Sequence, residues 1–168
     1  MSEFGPINAA PLCGTEPIGH VGTVLDFWRW SSSDFLSNAT RGILAEFIVA
    51  RALGDPSPVR KEWDAYDVTT PEGIRVEVKS AAYIQSWHQE KPSQISFGIA
   101  PTMAWDAETN AWGTERKRQP DVHVFALLDC QDQSRVIRST WVSGGSSCSP
   151  ARCWIGRSGR RRRSAWLR

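Results

Sequence analysis

The chain has 168 residues, 40% of them apolar and nine of them tryptophan, enough for one ordinary domain with a core and too few for two. No apolar run approaches the roughly 20 residues of a membrane span, and no basic start leads into an apolar stretch, so a soluble, cytoplasmic protein is expected. The net charge of +2 divides unevenly: residues 1–134 carry 11 Lys and Arg against 18 Asp and Glu, whereas residues 135–168 carry nine Arg and no acid. An acidic body excludes nucleic-acid binding by overall charge and leaves that task to a local basic patch or to bound metal ions.

Taken in chain order, residues 1–22 hold Pro6, Pro11 and Pro17 with several glycines and no apolar period, an irregular lead-in. From Thr23 to Leu36, Val24, Leu25, Trp28 and Phe35 recur at helical spacing, which predicts one helix or two short ones with its aromatic residues in the core. Asn38 or Thr40 can cap a second helix that runs to Leu53 and stops at Gly54. Tyr66, Val68 and Thr70 then alternate with Asp67 and Thr69, and Ile74, Val76 and Val78 alternate with Arg75, Glu77 and Lys79 around a Pro71-Glu72-Gly73 turn, which predicts a β-hairpin. Ile95, Phe97 and Ile99 predict a further strand, and Val122 to Leu128 another. The stretch between them, with Trp105, Asp106, Asn110 and Gly113, reads as a long loop ending in the basic cluster Arg116, Lys117 and Arg118. Cys13 and Cys130 stand alone, and Cys148 and Cys153 lack a partnering Cys or His pair, so there is no zinc pattern.

The hairpin can be given a register. If Gly73 takes the left-handed position of a three-residue loop, cross-strand partners have numbers summing to 144, and Val68 faces Val76 while Tyr66 faces Val78 on an apolar side. The other side then sets Asp67 opposite Glu77, roughly 5 Å apart, with Lys79 projecting beside them. Two facing carboxylates repel unless a cation neutralises them, and Mg²⁺, which takes oxygen ligands from one or two carboxylates plus water and phosphate, suits the pair. Asp64 is the alternative to Asp67 for that ligand, although odd spacing turns it to the other face. Glu46 lies within or beside the apolar stripe of the second helix, among Ile43, Val49, Ala50 and Leu53. It is either a salt-bridge partner of Arg41 or Arg51 or a further metal or water ligand reaching the hairpin.

A helix bearing Glu46, then Asp67, then the Glu77-Val78-Lys79 triplet on a strand resembles the PD-(D/E)XK nuclease superfamily of restriction-endonuclease-like proteins. Gln85 with Trp87 resembles the glutamine-containing extension near that site in some members. The resemblance spans about Asp34 to Leu128, and Tyr66 stands where the motif's proline would be. It implies an α/β restriction-endonuclease-like core with a central mixed sheet flanked by helices, and hydrolysis of phosphodiester bonds, with DNA as the expected substrate and Mg²⁺ or Mn²⁺ as cofactor. On that reading Asp67 and Glu77 hold the metal, Lys79 orients the attacking water, Glu46 completes a shell or accepts a proton, and Gln85 positions the phosphate. Arg116, Lys117 and Arg118 would contact the nucleic-acid backbone or form a solvated loop. The competing reading is a nuclease-like fold that binds nucleic acid or a protein without cleaving. His88 and His123 lack triad companions and read as ordinary surface and strand residues.

The division that follows is a lead-in and first helix over 1–33, the nuclease-like core over 34–130, and a tail over 131–168 dominated by Arg, Ser and Gly. That tail has no amphipathic period. It reads as a basic arm, as a disordered segment, or as the product of a reading-frame shift.

Overall fold

The computed structural model describes residues 9–62, 64–106, 109–133, 136 and 152–157. Two short strands, β1 (Pro17–Ile18) and β2 (Gly22–Thr23), pair antiparallel and lead into helix α1 (Val24–Ser32). Thr23 caps α1 with a reciprocal box: its Oγ1 accepts from Asp26 N–H at 3.2 Å, and Asp26 Oδ2 accepts from Thr23 N–H at 3.0 Å. The aromatic residues of α1 do not form the expected core. Trp30 is 84% exposed and Phe27 and Trp28 are also exposed, because the helix leans chiefly on β2 and leaves one apolar face uncovered.

Helix α2 (Asn38–Leu53) begins after Ser37, which makes no side-chain cap, rather than after Asn38 or Thr40. It ends as expected at Gly54, whose left-handed backbone (φ 70°) lets its N–H reach Ala50 O. The buried stripe is Arg41, Ala45 and Val49, with Ala50 and Leu53 packed beside it as expected, whereas Ile43 and Phe47 face outward. Ala45 and Val49 lie on the valines of a four-stranded sheet. That sheet runs β3 (Val68–Thr69), β4 (Arg75–Ala82), β7 (Val122–Leu128), β8 (Arg152–Arg157), in that spatial order. A separate two-residue hairpin, β5 (Trp105–Asp106) with β6 (Ala111–Trp112), replaces the expected loop.

The β3–β4 register matches the sequence argument: Val68 pairs with Val76 and Thr69 with Arg75, around Gly73 at φ 83°. β4 and β7 run parallel from Val76↔Val122 to Ala82↔Leu128, and β8 is antiparallel to β7, so the sheet is mixed. Asp121 pins the start of the parallel pair. Its carboxylate accepts from Arg75 N–H at 3.0 Å and from the Arg75 guanidinium at 3.0 and 2.8 Å, which holds its pKa down at about 2. Because side chains alternate, Val76, Val78 and Val124 face α2 while Glu77, Lys79, His123 and Phe125 face the opposite side.

No strand forms at Ile95–Ile99. The backbone there has no ladder partner among the described residues, and Phe97 instead sets its ring 4.8 Å from that of Phe125. The described residues between β4 and β7 contain no helix. The described residues thus form a mixed α/β domain with two helices, of which α2 covers one face of the sheet. Of the tail, β8 is described as a strand, while the reading of the rest as arm, disordered segment or frame-shift product lies mostly outside the described residues. Among the described residues no helix is long and apolar enough to cross a membrane.

Candidate active site

Asp67 sits where the edge strand gives out. In a regular continuation of the ladder Val78 N–H would donate to the Tyr66 carbonyl and Asp67 would face Glu77 squarely. Instead Asp67 N–H donates to Val76 O at 3.0 Å, and Val78 N–H donates to Asp67 Oδ2 at 2.7 Å. The side chain of Asp67 therefore takes over a backbone acceptor's place, and the carboxylate is drawn against β4. Burial pushes its pKa up to about 6; the Val78 hydrogen bond opposes that shift, the negative charges of Glu77 and then Glu46 add to it, and Lys79 counters it.

Glu77 and Lys79, two apart on β4, share a face, and Lys79 Nζ donates to Glu77 Oε1. Together with Asp67 they line a cleft of about 500 Å³ on the side of the sheet away from α2, and Asp64, expected on the other face, lines it too because it precedes the regular strand. The cleft's other wall comes from the segment before β7, including Trp105, Trp112 and Arg118. The two indoles stand 5.1 Å apart at 60°, and Trp112 is 62% exposed. Arg118 is fixed by a bond from its Nε to Ile99 O at 3.1 Å, and Lys117 is tied by its backbone to Thr102. Of the basic cluster, then, Arg118 reaches the cleft, while Arg116 and Lys117 are exposed without lining it.

Glu46 approaches Asp67 from the helix side. It lines a second cleft of about 300 Å³, which also includes Asp64 and Asp67, so Asp67 stands on the divide between the two. Its partner is neither Arg41 nor Arg51. Arg60, beyond the proline-containing link after α2, grips it with two bonds of 2.5 and 3.1 Å. Gln85 lines neither cleft and is not a surface amide: it is buried, accepting from Arg41 at 3.3 Å and donating to Ala82 O at 2.9 Å. It serves the guanidinium of Arg41, which is 3% exposed and has no carboxylate beside it among the described residues.

A family model described as bacteriophage T4 endonuclease IV matches residues 23–158. The chain belongs to that family. No curated protein and no solved structure matches it. The region shared with endonuclease IV runs from the capping Thr23 to just past β8, so the whole of both clefts lies inside it. Asp67 and Glu77 present oxygen donors of the kind a divalent cation takes, and the charges of Glu77 and Glu46 add to the burial that raises the pKa of Asp67. Among the described residues no three His, Cys, Asp or Glu side chains already converge on one point, because Lys79 holds Glu77 and Arg60 holds Glu46.

One residue lining the acidic cleft was not expected there from the sequence. His123 pairs with Glu77 across the parallel strands and lines the cleft. Burial pushes its pKa down, Glu77 opposes that, and Lys79 and Arg118 add to it. Its signal was the alternation in β7, where a histidine precedes Val124 on the face opposite the core, and using it required knowing that β7 lies beside β4.

Proposed function

We propose that this chain is a Mg²⁺-dependent endonuclease of PD-(D/E)XK type that hydrolyses phosphodiester bonds in DNA. The observation that carries this reading is the meeting of Asp67, Glu77 and Lys79 in one cleft, with Asp67 pushed up to about 6 by burial and neighbouring acids. Asp67 and Glu77 would hold the cation; when bound, Mg²⁺ offsets charge growing on the phosphate and lowers the pKa of the attacking water, and Mn²⁺ meets the same oxygen donors. Lys79, once exchanged from Glu77 to the phosphate, orients water and stabilises the developing negative charge. Glu46 acts from the neighbouring cleft, held by Arg60, as the acceptor of a proton relayed through water. Arg118 contributes a backbone contact, and Trp112 offers an exposed face to a base.

Digestion of linear, circular, branched and single-stranded DNA with and without Mg²⁺ tests this directly, alongside Asp67→Ala, Glu77→Ala and Lys79→Ala. Each variant is expected to abolish Mg²⁺-dependent cleavage and retain binding. The two ion pairs that occupy Glu77 and Glu46 favour one other reading, a fold that binds nucleic acid without cutting it. A folded wild type that binds every substrate and cuts none selects that alternative.

A further inference from the structure

His123 is 5% exposed, yet its imidazole borders the cleft shared by Asp67, Glu77, Lys79 and Arg118. Among the described residues neither ring nitrogen has a hydrogen-bond partner; the ring's documented neighbour is Phe125, stacked at 6.3 Å and 12°. The ring nitrogens are not among the fully buried polar atoms left unpaired in the described residues, which are Arg41 Nε and Ser80 Oγ, so the little surface His123 keeps is its polar edge, open to the cleft where a ligand can supply the partner. The sheet's backbone does not satisfy the side chain, since the backbone groups of β7 pair with β4 on one side and β8 on the other. Its nearest strand neighbour is Glu77, roughly 5 Å away across the ladder, and Glu77 is engaged with Lys79.

What could fill the gap has to enter the cleft, accept a hydrogen bond and be welcome beside Lys79 and Arg118. A phosphate oxygen meets all three conditions. Imidazole carries at least one N–H donor whether neutral or charged, so the contact needs no particular protonation state. Mg²⁺ prefers oxygen ligands, which sets the ring apart from the carboxylates as a substrate contact rather than a metal ligand.

We infer that His123 is a substrate-contacting residue of this site, donating a ring N–H to a non-bridging oxygen of the phosphate held beside Glu77 and Lys79. The inference rests on the nuclease reading above and adds a donor to it.

Two variants separate donation from packing. His123→Phe keeps an aromatic ring against Phe125 and removes the donor; His123→Gln restores an N–H of similar reach. Both are to be compared with wild type for thermal stability, for affinity to a fluorescein-labelled oligonucleotide in Ca²⁺, and for kcat/KM of cleavage in Mg²⁺. The expected result is loss of about tenfold in affinity and about 100-fold in kcat/KM for the Phe variant, with most of both recovered by the Gln variant. A Phe variant that binds and cleaves like wild type overturns the inference, as does equal loss in both variants at unchanged stability. If wild type binds the oligonucleotide without cutting it, the nuclease reading fails, and the affinity comparison still decides the role of His123. A wild type that neither binds nor cuts removes both.

Discussion

Replacing Asp67 with Asn should make this protein more stable at neutral pH while abolishing its activity. Asn is of the same size, and its amide oxygen can accept the Val78 N–H that Asp67 now accepts at 2.7 Å. What it lacks is the negative charge. The folded protein raises the Asp67 pKa from 3.8 to about 6, so between those values the folded state holds a proton that the unfolded chain has released. Stability therefore declines as pH rises through that window, and above it the full penalty is present. Two units correspond to about 3 kcal/mol, a ceiling that water in the cleft reduces, leaving about 1–3 kcal/mol. Urea denaturation in EDTA at about pH 8 should place Asp67→Asn above wild type by that amount, and at about pH 3, below the unfolded pKa, the difference should vanish. Adding Mg²⁺ should stabilise wild type and not the variant, since a ligand that binds only the folded state shifts the equilibrium by mass action. An Asn variant that is less stable than wild type at about pH 8 would refute the account of this carboxylate as a strained, cation-seeking group.

Lys79→Met should reduce cleavage about 100- to 1,000-fold with little change in circular dichroism, and near-wild-type rates would remove Lys79 from the site. Gln85→Leu takes an acceptor from the buried Arg41, so it should cost about 1–3 kcal/mol in urea denaturation while leaving the rate per folded molecule unchanged; the opposite pattern would mean that Gln85 touches substrate. Trp112→Ala should alter stability by no more than about 0.5 kcal/mol, given the residue's exposure, yet weaken oligonucleotide binding about 5- to 100-fold if a base stacks there. Gly73→Ala forces a side chain into φ 83° and should lower stability by about 1–2 kcal/mol on thermal melting, with cleavage per folded molecule retained.

Much of the hairpin was legible because its signals are local. Gly73 fixes the turn, and the turn fixes the register, which brings Asp67, Glu77 and Lys79 to one cleft. The departure at Asp67, where side chain replaces carbonyl, had no such signal: nothing in a string of residues announces the point at which a ladder stops. Arg60 was missed as the partner of Glu46 because the link between them folds back on itself, and helix spacing favours Arg41 or Arg51. The alternation at Ile95 to Ile99 reports which side chains turn inward, since Ile95 and Phe97 are half-buried between exposed neighbours, but alternation cannot say whether a neighbouring strand is present, and none pairs there among the described residues. In α1 the helical period was right and the inference of burial was not, since a period says which face is apolar and not what covers it. His123 needed the parallel pairing of two strands separated by a long connection, the kind of fact that sequence carries least.

The hydrogen bond from Val78 to Asp67 also bears on what one copy of the chain offers to another. β3 is an edge of only two residues, and just past it the backbone of β4 would offer an unpaired N–H to any passing strand. A carboxylate seated on that N–H plugs the opening and, when ionised, repels a second molecule presenting the same acid. Alanine at position 67 would unstop it, so inactive preparations made with Asp67→Ala should precipitate more readily than those made with Asp67→Asn. Choosing the amide for substrate-trapping work would preserve solubility along with the fold.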